Sequence, residues 1–157
     1  MRDDYALFNG RGYPDTVNPS ALPAPIDPGT GDPANATPEH PAGVQSQKIS
    51  SLITATAGQK ILLRLSNLSV TKLYTVTALG LPMQVVGHDA RILRSSTGAN
   101  TYYNTSSLTL GGGQSYDVIV NTAGVAPGRY FLYTTNLNYL SNNADDFGGM
   151  MTEIVVN

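Results

Sequence analysis

Histidine and methionine are the side chains of this sequence that could support metal chemistry. The stretch GLPMQVVGHDARIL, residues 80–93, carries His88, one of only two histidines in the chain, a few positions after Met83. An imidazole and a thioether suit copper(I), and an imidazole beside a carboxylate such as Asp89 could act as a base. The other potential copper ligands are His40, Met150 and Met151.

The strand pattern of this stretch does not bring His88 and Met83 together. Side chains alternate between the faces of a strand, so His88 is predicted on the face of Val86, and Met83 on the opposite face. Methionine at such positions commonly fills a core. We therefore predict no catalytic, cofactor-binding or metal-binding residue in this chain, and retain His88 and Met83 as the candidates for a metal site. Asp89 is predicted to shape the turn that follows His88.

Other site chemistries lack their residues. Cysteine is absent, which excludes disulfides and also a blue copper centre, because that centre needs a thiolate beside two imidazoles. There is no Gly-x-Ser-x-Gly nucleophile motif. Asp145 and Asp146 lack the spacing of a calcium loop and are predicted in a solvated loop. The glycines at 111–113 lack the Lys-Ser/Thr ending of a phosphate loop and are predicted to connect a hairpin.

Composition bounds the class of protein. The chain has 157 residues, of which 41% are hydrophobic, so one domain with a sizeable core is expected. Its net charge is −2, and its Lys and Arg residues are scattered, which favours neither nucleic acid nor a membrane as a partner. No apolar run approaches the roughly 18 residues of a membrane-spanning helix. The opening MRDDYALFNG has no apolar signal-peptide core.

Short apolar runs between glycines and asparagines predict the strands that would position these residues. Strands are predicted within 4–10, 51–67 (two), 72–80, 83–88, 90–94, 106–121 (two), 128–136 and 150–157. No segment has helical periodicity, so the sequence predicts an all-β, antiparallel sandwich. Residues 18–47 are rich in proline and glycine and are predicted to form a long loop.

Several of these segments, in order, resemble one domain of a known family. They are LFNGRGYPDT, GQKILLRLSNLS, YTVTALGLPMQVVGHDARIL, SLTLGGGQSYDVIV and GRYFLYTTN with GGMMTEIVV. Together they are similar to the second cupredoxin domain of three-domain multicopper oxidases, the laccase-like family. The resemblance implies a Greek-key, cupredoxin-like β-sandwich that forms a single domain over residues 1–157, with the loop at 18–47.

The same resemblance implies a domain without its own copper. The family oxidises a substrate at one copper and reduces O2 to water at a trinuclear copper cluster. Its ligands lie in His-x-His pairs and a His-Cys-His run of the first and third domains, and this chain has neither. Leu81 follows Gly80 where the family hairpin has Gly-His. We therefore expect copper in the parent enzyme only, an inactive isolated chain that acts as scaffold and interdomain spacer, neighbouring cupredoxin domains as partners, and a periplasmic or extracellular location.

Two other functions remain open. The chain could be an extracellular β-sandwich binding or assembly module that docks a sugar or a protein through exposed tyrosines, since tyrosine suits such surfaces. The tyrosines considered are Tyr5, Tyr13, Tyr102, Tyr103 and Tyr139. It could also be a copper(I) chaperone-like protein that uses His88 and Met83. Self-association is left open, as is the origin of the chain as an excised fragment or an independent descendant.

Overall fold

The computed structural model describes residues 5–22, 49–142 and 145–157. The described part contains twelve strands and two short 3₁₀ helices, Asp15–Val17 and Leu137–Tyr139. The strands are β1 (Ile53–Ala55), β2 (Lys60–Ser66), β3 (Tyr74–Ala78), β4 (Met83–His88), β5 (Arg91–Ile92), β6 (Tyr103–Thr105), β7 (Leu108–Leu110), β8 (Ser115–Asn121), β9 (Gly128–Thr134), β10 (Ser141–Asn142), β11 (Asp145–Gly148) and β12 (Met151–Val156).

Two five-stranded sheets form the β-sandwich. The first sheet has the order β1-β12-β9-β3-β7, and the second has the order β2-β8-β4-β5 with β6 paired to β4. Strands distant in sequence are therefore neighbours in space, as in a Greek key. The buried apolar residues of the two sheets meet in one cluster, to which the first sheet gives Val76, Leu132 and Ile154 and the second gives Met83, Val85, Val118 and Val120.

The period-two pattern of the sequence correctly predicted which side chains enter this core. In β2, Leu63 is buried and Ile61 and Leu65 are partly buried, whereas Leu62 and Arg64 are exposed. In β8, Val118 and Val120 are buried in the core, and Tyr116 on the same face packs against it. Alternation along a strand thus decides the buried face without any information from the partner strand.

The prediction of a purely antiparallel sandwich is wrong at one edge. β1 pairs with β12 in parallel, at Ile53 with Ile154 and at Ala55 with Val156. A turn with Gly58 at φ 90° lies between β1 and β2 and carries the chain from the first sheet to the second. After the turn the chain pairs antiparallel with β8 in the second sheet.

The segment 111–113 also crosses between sheets, so the predicted hairpin is wrong. β7 belongs to the first sheet and β8 to the second. Gly113 has φ 82° and donates its N–H to the carbonyl of Asn67 at 2.8 Å. A Cβ on Gly112 would collide with the carbonyl oxygen of Ser69. Glycine is required here because two backbone segments approach closely, and not because of a phosphate or a hairpin.

The described part of the predicted strand 4–10 is instead a short loop and a tight turn. Phe8 and Arg11 form an isolated bridge around Asn9 and Gly10, whose φ values are 50° and 78°. This is the geometry that Asn-Gly turns favour. Asp145 and Asp146, predicted in a loop, lie in β11. The predicted long loop at 18–47 falls mostly outside the described residues.

Arg11 organises the chain that follows this turn. Its side chain is 1% exposed, and its guanidinium donates to the carbonyls of Asp15 at 2.9 Å, Asn18 at 2.7 Å and Ser20 at 3.0 Å. Thr16, on the same segment, is fully buried and donates its hydroxyl to the carbonyl of Met151. An arginine guanidinium spreads five donors over three nitrogens and can reach carbonyls that lie apart, whereas a lysine has three donors on a single nitrogen.

Replacing Arg11 should therefore loosen this segment. We expect Arg11→Met to lower the free energy of unfolding by about 2 kcal/mol, because carbonyls in the folded state lose their donors. Arg11→Lys should fall between this variant and the wild type. Urea unfolding followed by far-ultraviolet circular dichroism measures both.

The matched control is Arg64→Met, since the Arg64 side chain is 77% exposed and lies 3.6 Å from Asp117. It should change stability by no more than about 0.5 kcal/mol. Equal stability of Arg11→Met and wild type would contradict the role given to Arg11.

Candidate functional site

His88 ends strand β4 and stacks on a tyrosine. Its ring lies 4.3 Å from that of Tyr116, centroid to centroid, with 20° between the planes. The side chain is 37% exposed, and Nε2 lies 3.4 Å from Oδ2 of Asp89. No hydrogen bond to Nε2 forms within the described residues. The imidazole therefore packs by its face, with one carboxylate near its edge.

A β-bulge places His88 on a different face from the one predicted. Val85 pairs with Val118, but Gly87 pairs with Asp117, so β4 carries one extra residue between these pairs. A Cβ on Gly87 would lie 2.9 Å from the exposed carboxylate of Asp117, so Gly87 takes the outer face. His88 then points to the core side of the sheet. The predicted orientation was wrong because a bulge resets alternation.

The turn after His88 agrees with the prediction for Asp89. Asp89 and Ala90 have φ values of 46° and 62°, and His88 pairs with Arg91 across them. Two central residues with positive φ define the type I′ turn of a two-residue hairpin. Oδ1 of Asp89 also accepts the N–H of Ser115 at 2.9 Å. Asp89 therefore shapes the hairpin and ties it to β8.

Met83 lies in the core, far from His88. It is 1% exposed and belongs to the apolar cluster between the sheets. Met83 pairs with Val120 and His88 pairs with Tyr116, four positions apart on β8, which places Met83 and His88 about 13 Å apart. Copper ligands must all lie within bonding distance of one ion. Met83 and His88 therefore do not fit a shared copper site.

The remaining candidates do not complete such a site. Met150 is 4% exposed and packs in the core, and His40 lies outside the described residues. In the described ranges, no three His, Cys, Asp or Glu side chains gather where they could hold a metal. The donor set of a blue copper centre also needs a thiolate, which this sequence does not contain.

A buried carboxylate, which the sequence analysis missed, joins the N-terminal segment to the first sheet. Glu153 of β12 is 3% exposed. It accepts a hydrogen bond from the hydroxyl of Tyr13 at 3.1 Å and forms an ion pair with Arg129 of β9. Burial raises the pKa of Tyr13, and the bond to Glu153 and the charge of Glu153 raise it further. The available signal was an acidic residue within the apolar run MMTEIVV.

The structure has an open groove of about 800 Å³. It lies between the N-terminal segment and the chain after β2. Its apolar lining includes Tyr5, Leu7, Phe8, Leu68, Val70 and Met150. Sequence reasoning missed it because its two walls are some 60 residues apart in the chain, and local patterns do not report such a meeting.

The tyrosines considered as a docking surface differ in exposure and in their contacts. Tyr5 is 57% exposed and Tyr103 is 47% exposed. Tyr13 is bound to Glu153, and the Tyr139 ring meets the Tyr74 ring edge-on at 5.2 Å. Within this set, Tyr5 lines the groove.

Two packed sheets with this strand order define a cupredoxin-like β-sandwich. The family model described as multicopper oxidase matches residues 2–157, and the chain belongs to the multicopper oxidase family. Members of this family are generally periplasmic or secreted. None of the helices in the described ranges is long and apolar enough to cross a membrane.

Solved structures share the fold at low sequence identity. The blue copper oxidase from Nitrosomonas europaea is 23% identical, with a TM-score of 0.56, over 78% of this chain and 39% of its own. The multicopper oxidase mgLAC is 18% identical, with a TM-score of 0.58, over 82% and 41%. The laccase from Botrytis aclada is 22% identical, with a TM-score of 0.53, over 90% and 25%. The chain thus spans less than half the length of each. No curated protein sequence matches the chain.

The environment of Tyr13 predicts a loss of stability at alkaline pH. Because its pKa is raised in the folded state, the unfolded chain gives up this proton first as the pH increases. The contribution of Tyr13 is therefore complete below about pH 10 and declines as the pH passes through the folded-state pKa. We expect Tyr13→Phe to show a shallower decline than the wild type, measured by urea unfolding between pH 8 and pH 11.

Glu153→Gln should also make the decline shallower, because it removes the negative charge that disfavours the tyrosinate. A wild-type alkaline decline that Tyr13→Phe reproduces unchanged would contradict this assignment.

Proposed function

We propose that this chain is the second, copper-free cupredoxin-like domain of a three-domain multicopper oxidase and acts as a scaffold and spacer between copper-bearing domains. The observation that carries the proposal is the placement of its candidate ligands. Met83 is buried in the core, whereas His88 stacks on Tyr116 and lies about 13 Å from Met83. With no cysteine in the chain, these residues have no ligand set to join.

The oxidation reaction then belongs to the parent enzyme. The parent would couple oxidation of a reducing substrate to reduction of O2 to water, with copper held by the neighbouring domains. This chain supplies no ligand and transfers no proton or electron in that reaction. Its parent would lie in the periplasm or outside the cell. Residues 1–157 form one domain in this proposal.

A rigid sandwich suits a spacer. The core is filled by apolar residues from both sheets, each square ångström of which contributes about 25 cal/mol on burial. Two hydrogen bonds to β12 hold the N-terminal segment to the same body: Tyr13 donates to Glu153, and Thr16 donates to the carbonyl of Met151. Such a body keeps a fixed distance between whatever is attached to its surfaces, because packed interiors are not continuously deformable.

Copper titration of the isolated chain tests the proposal. We expect no stoichiometric tight copper, no blue absorption band with copper(II), and no oxidation of a phenol. Competition with a copper(I) chelator should give the same apparent affinity, within about twofold, for the wild type and for the double variant His88→Ala with Met83→Leu. The far-ultraviolet spectrum checks that the double variant is folded.

Two results would overturn the proposal. One is a stoichiometric copper ion that the wild type binds tightly and the double variant loses, which would instead support the copper(I)-binding function. The other is phenol oxidation by the purified chain alone.

A further inference from the structure

The loop between β2 and β3, residues 67–73, is an ordered loop. The side chain of Asn67 is 6% exposed and donates to the carbonyls of Lys72 and Leu110, both at 2.9 Å. Its Oδ1 accepts the N–H of Ser69 at 2.8 Å, and Oγ of Ser69 accepts the N–H of Lys72 at 3.1 Å. Side-chain to backbone bonds of this kind define Asx and Ser turns. The loop thus has one defined backbone shape.

This defined loop presents apolar side chains to solvent. Leu68 is 90% exposed, Val70 is 83% exposed and Leu73 is 68% exposed. Leu7 and Tyr5 across the groove are 40% and 57% exposed. Single exposed apolar residues are ordinary, but a contiguous group marks an interaction site. We call Tyr5, Leu7, Leu68 and Val70, which line one groove, the apolar face.

The chemistry of the groove is that of a protein contact and not of a small-molecule site. Small-molecule sites combine apolar walls with several convergent polar groups. Among the described lining residues, Arg64 is the one charged side chain, and its Nε lies near Asp117 outside the groove. The amide of Asn67 is already bonded to its own loop and to Leu110 of β7. A partner of the groove would therefore bind mainly through apolar contacts.

Under the proposed function, the partner is a neighbouring domain of a larger protein. The solved structures that share this fold extend well beyond the matched part, since the chain covers 39%, 41% and 25% of three of them. An apolar patch on an isolated domain is covered when a neighbouring domain of the same polypeptide packs on it, and interdomain contacts typically bury about 600–1,500 Å². The low share of charged residues, 13%, agrees with such covered surface.

We infer that the apolar face is the surface on which a neighbouring cupredoxin-like domain of the same polypeptide packs, with Leu68 and Val70 inserted into that domain. This inference rests on the proposed function. It goes further by placing the interdomain contact at one end of the sandwich and at named residues.

The absence of cysteine makes a direct test available. Leu68→Cys and Val70→Cys place single thiols on the apolar face at exposed positions, where folding of the domain does not depend on the side chain. The matched control is Ala123→Cys, in an exposed turn after the far end of β8. Each variant is made both in this chain and in the product of the complete reading frame that contains it. Thiol labelling rates at each position are read by peptide mass spectrometry.

We expect all three thiols to react at similar rates in this chain alone. In the product of the complete reading frame, the rates at 68 and 70 should fall by about tenfold or more, because labelling then requires opening of the contact, while the rate at 123 stays the same. Equal rates at 68, 70 and 123 in that product would overturn the inference.

Other outcomes separate the two proposals. A complete reading frame whose product has no second cupredoxin-like domain, by mass and sequence, would overturn the proposed function and this inference together. Protection at 68 and 70 in this chain alone, growing with its concentration, would overturn the inference in favour of a second copy as the occupant. A copper-binding result for the isolated chain bears on the proposed function and leaves the labelling comparison unaffected.

Discussion

The apolar layer between the two sheets is the constraint on which the rest of this structure depends. The second sheet fills this layer with four buried apolar side chains, Met83, Val85, Val118 and Val120. The layer therefore has no space for a polar ligand with its water. Close packing of this kind transmits any change of volume to its neighbours, so an ion placed here would displace core side chains. Met83 therefore fills space in the core and does not bind an ion. This agrees with a structural role for the domain.

Local patterns predicted the strands and their buried faces, but not how strands are distributed between sheets. Alternation in β2 and β8 depends only on residues two positions apart, so the sequence shows it directly. Whether the chain turns back or crosses over depends on contacts far away in sequence. Residues 111–113 pass close to Ser69 and connect a strand of the first sheet to a strand of the second. They therefore do not form a hairpin. β6 was missed because Tyr-Asn-Thr lacks the apolar alternation of a strand.

The residues of the candidate site were predictable from the sequence, but their arrangement in space was not. The sequence alone identifies His88 and Met83, and the absence of cysteine limits what they could do. The bulge in β4 reversed the face of His88, and nothing in the stretch from Gln84 to Gly87 announces it except the glycine. Glu153 and Arg11 were missed for another reason: a charged residue in a strand or a turn reads as exposed until its buried partners are known.

The same physical reasoning connects the inside of the domain to its surface. Hydrogen bonds of Asn67 and Ser69 fix the backbone of the loop between β2 and β3. Two apolar residues of this loop, Leu68 and Val70, are exposed to solvent. A loop whose function was only to join two strands could have polar residues at these positions. Exposing polar side chains to water has no hydrophobic cost. Ordering a backbone costs about 1–2 kcal/mol per residue, so an ordered apolar loop makes thermodynamic sense where burial offsets that cost. In a domain whose interior is already full, the inferred contact with a neighbouring domain is what provides that burial.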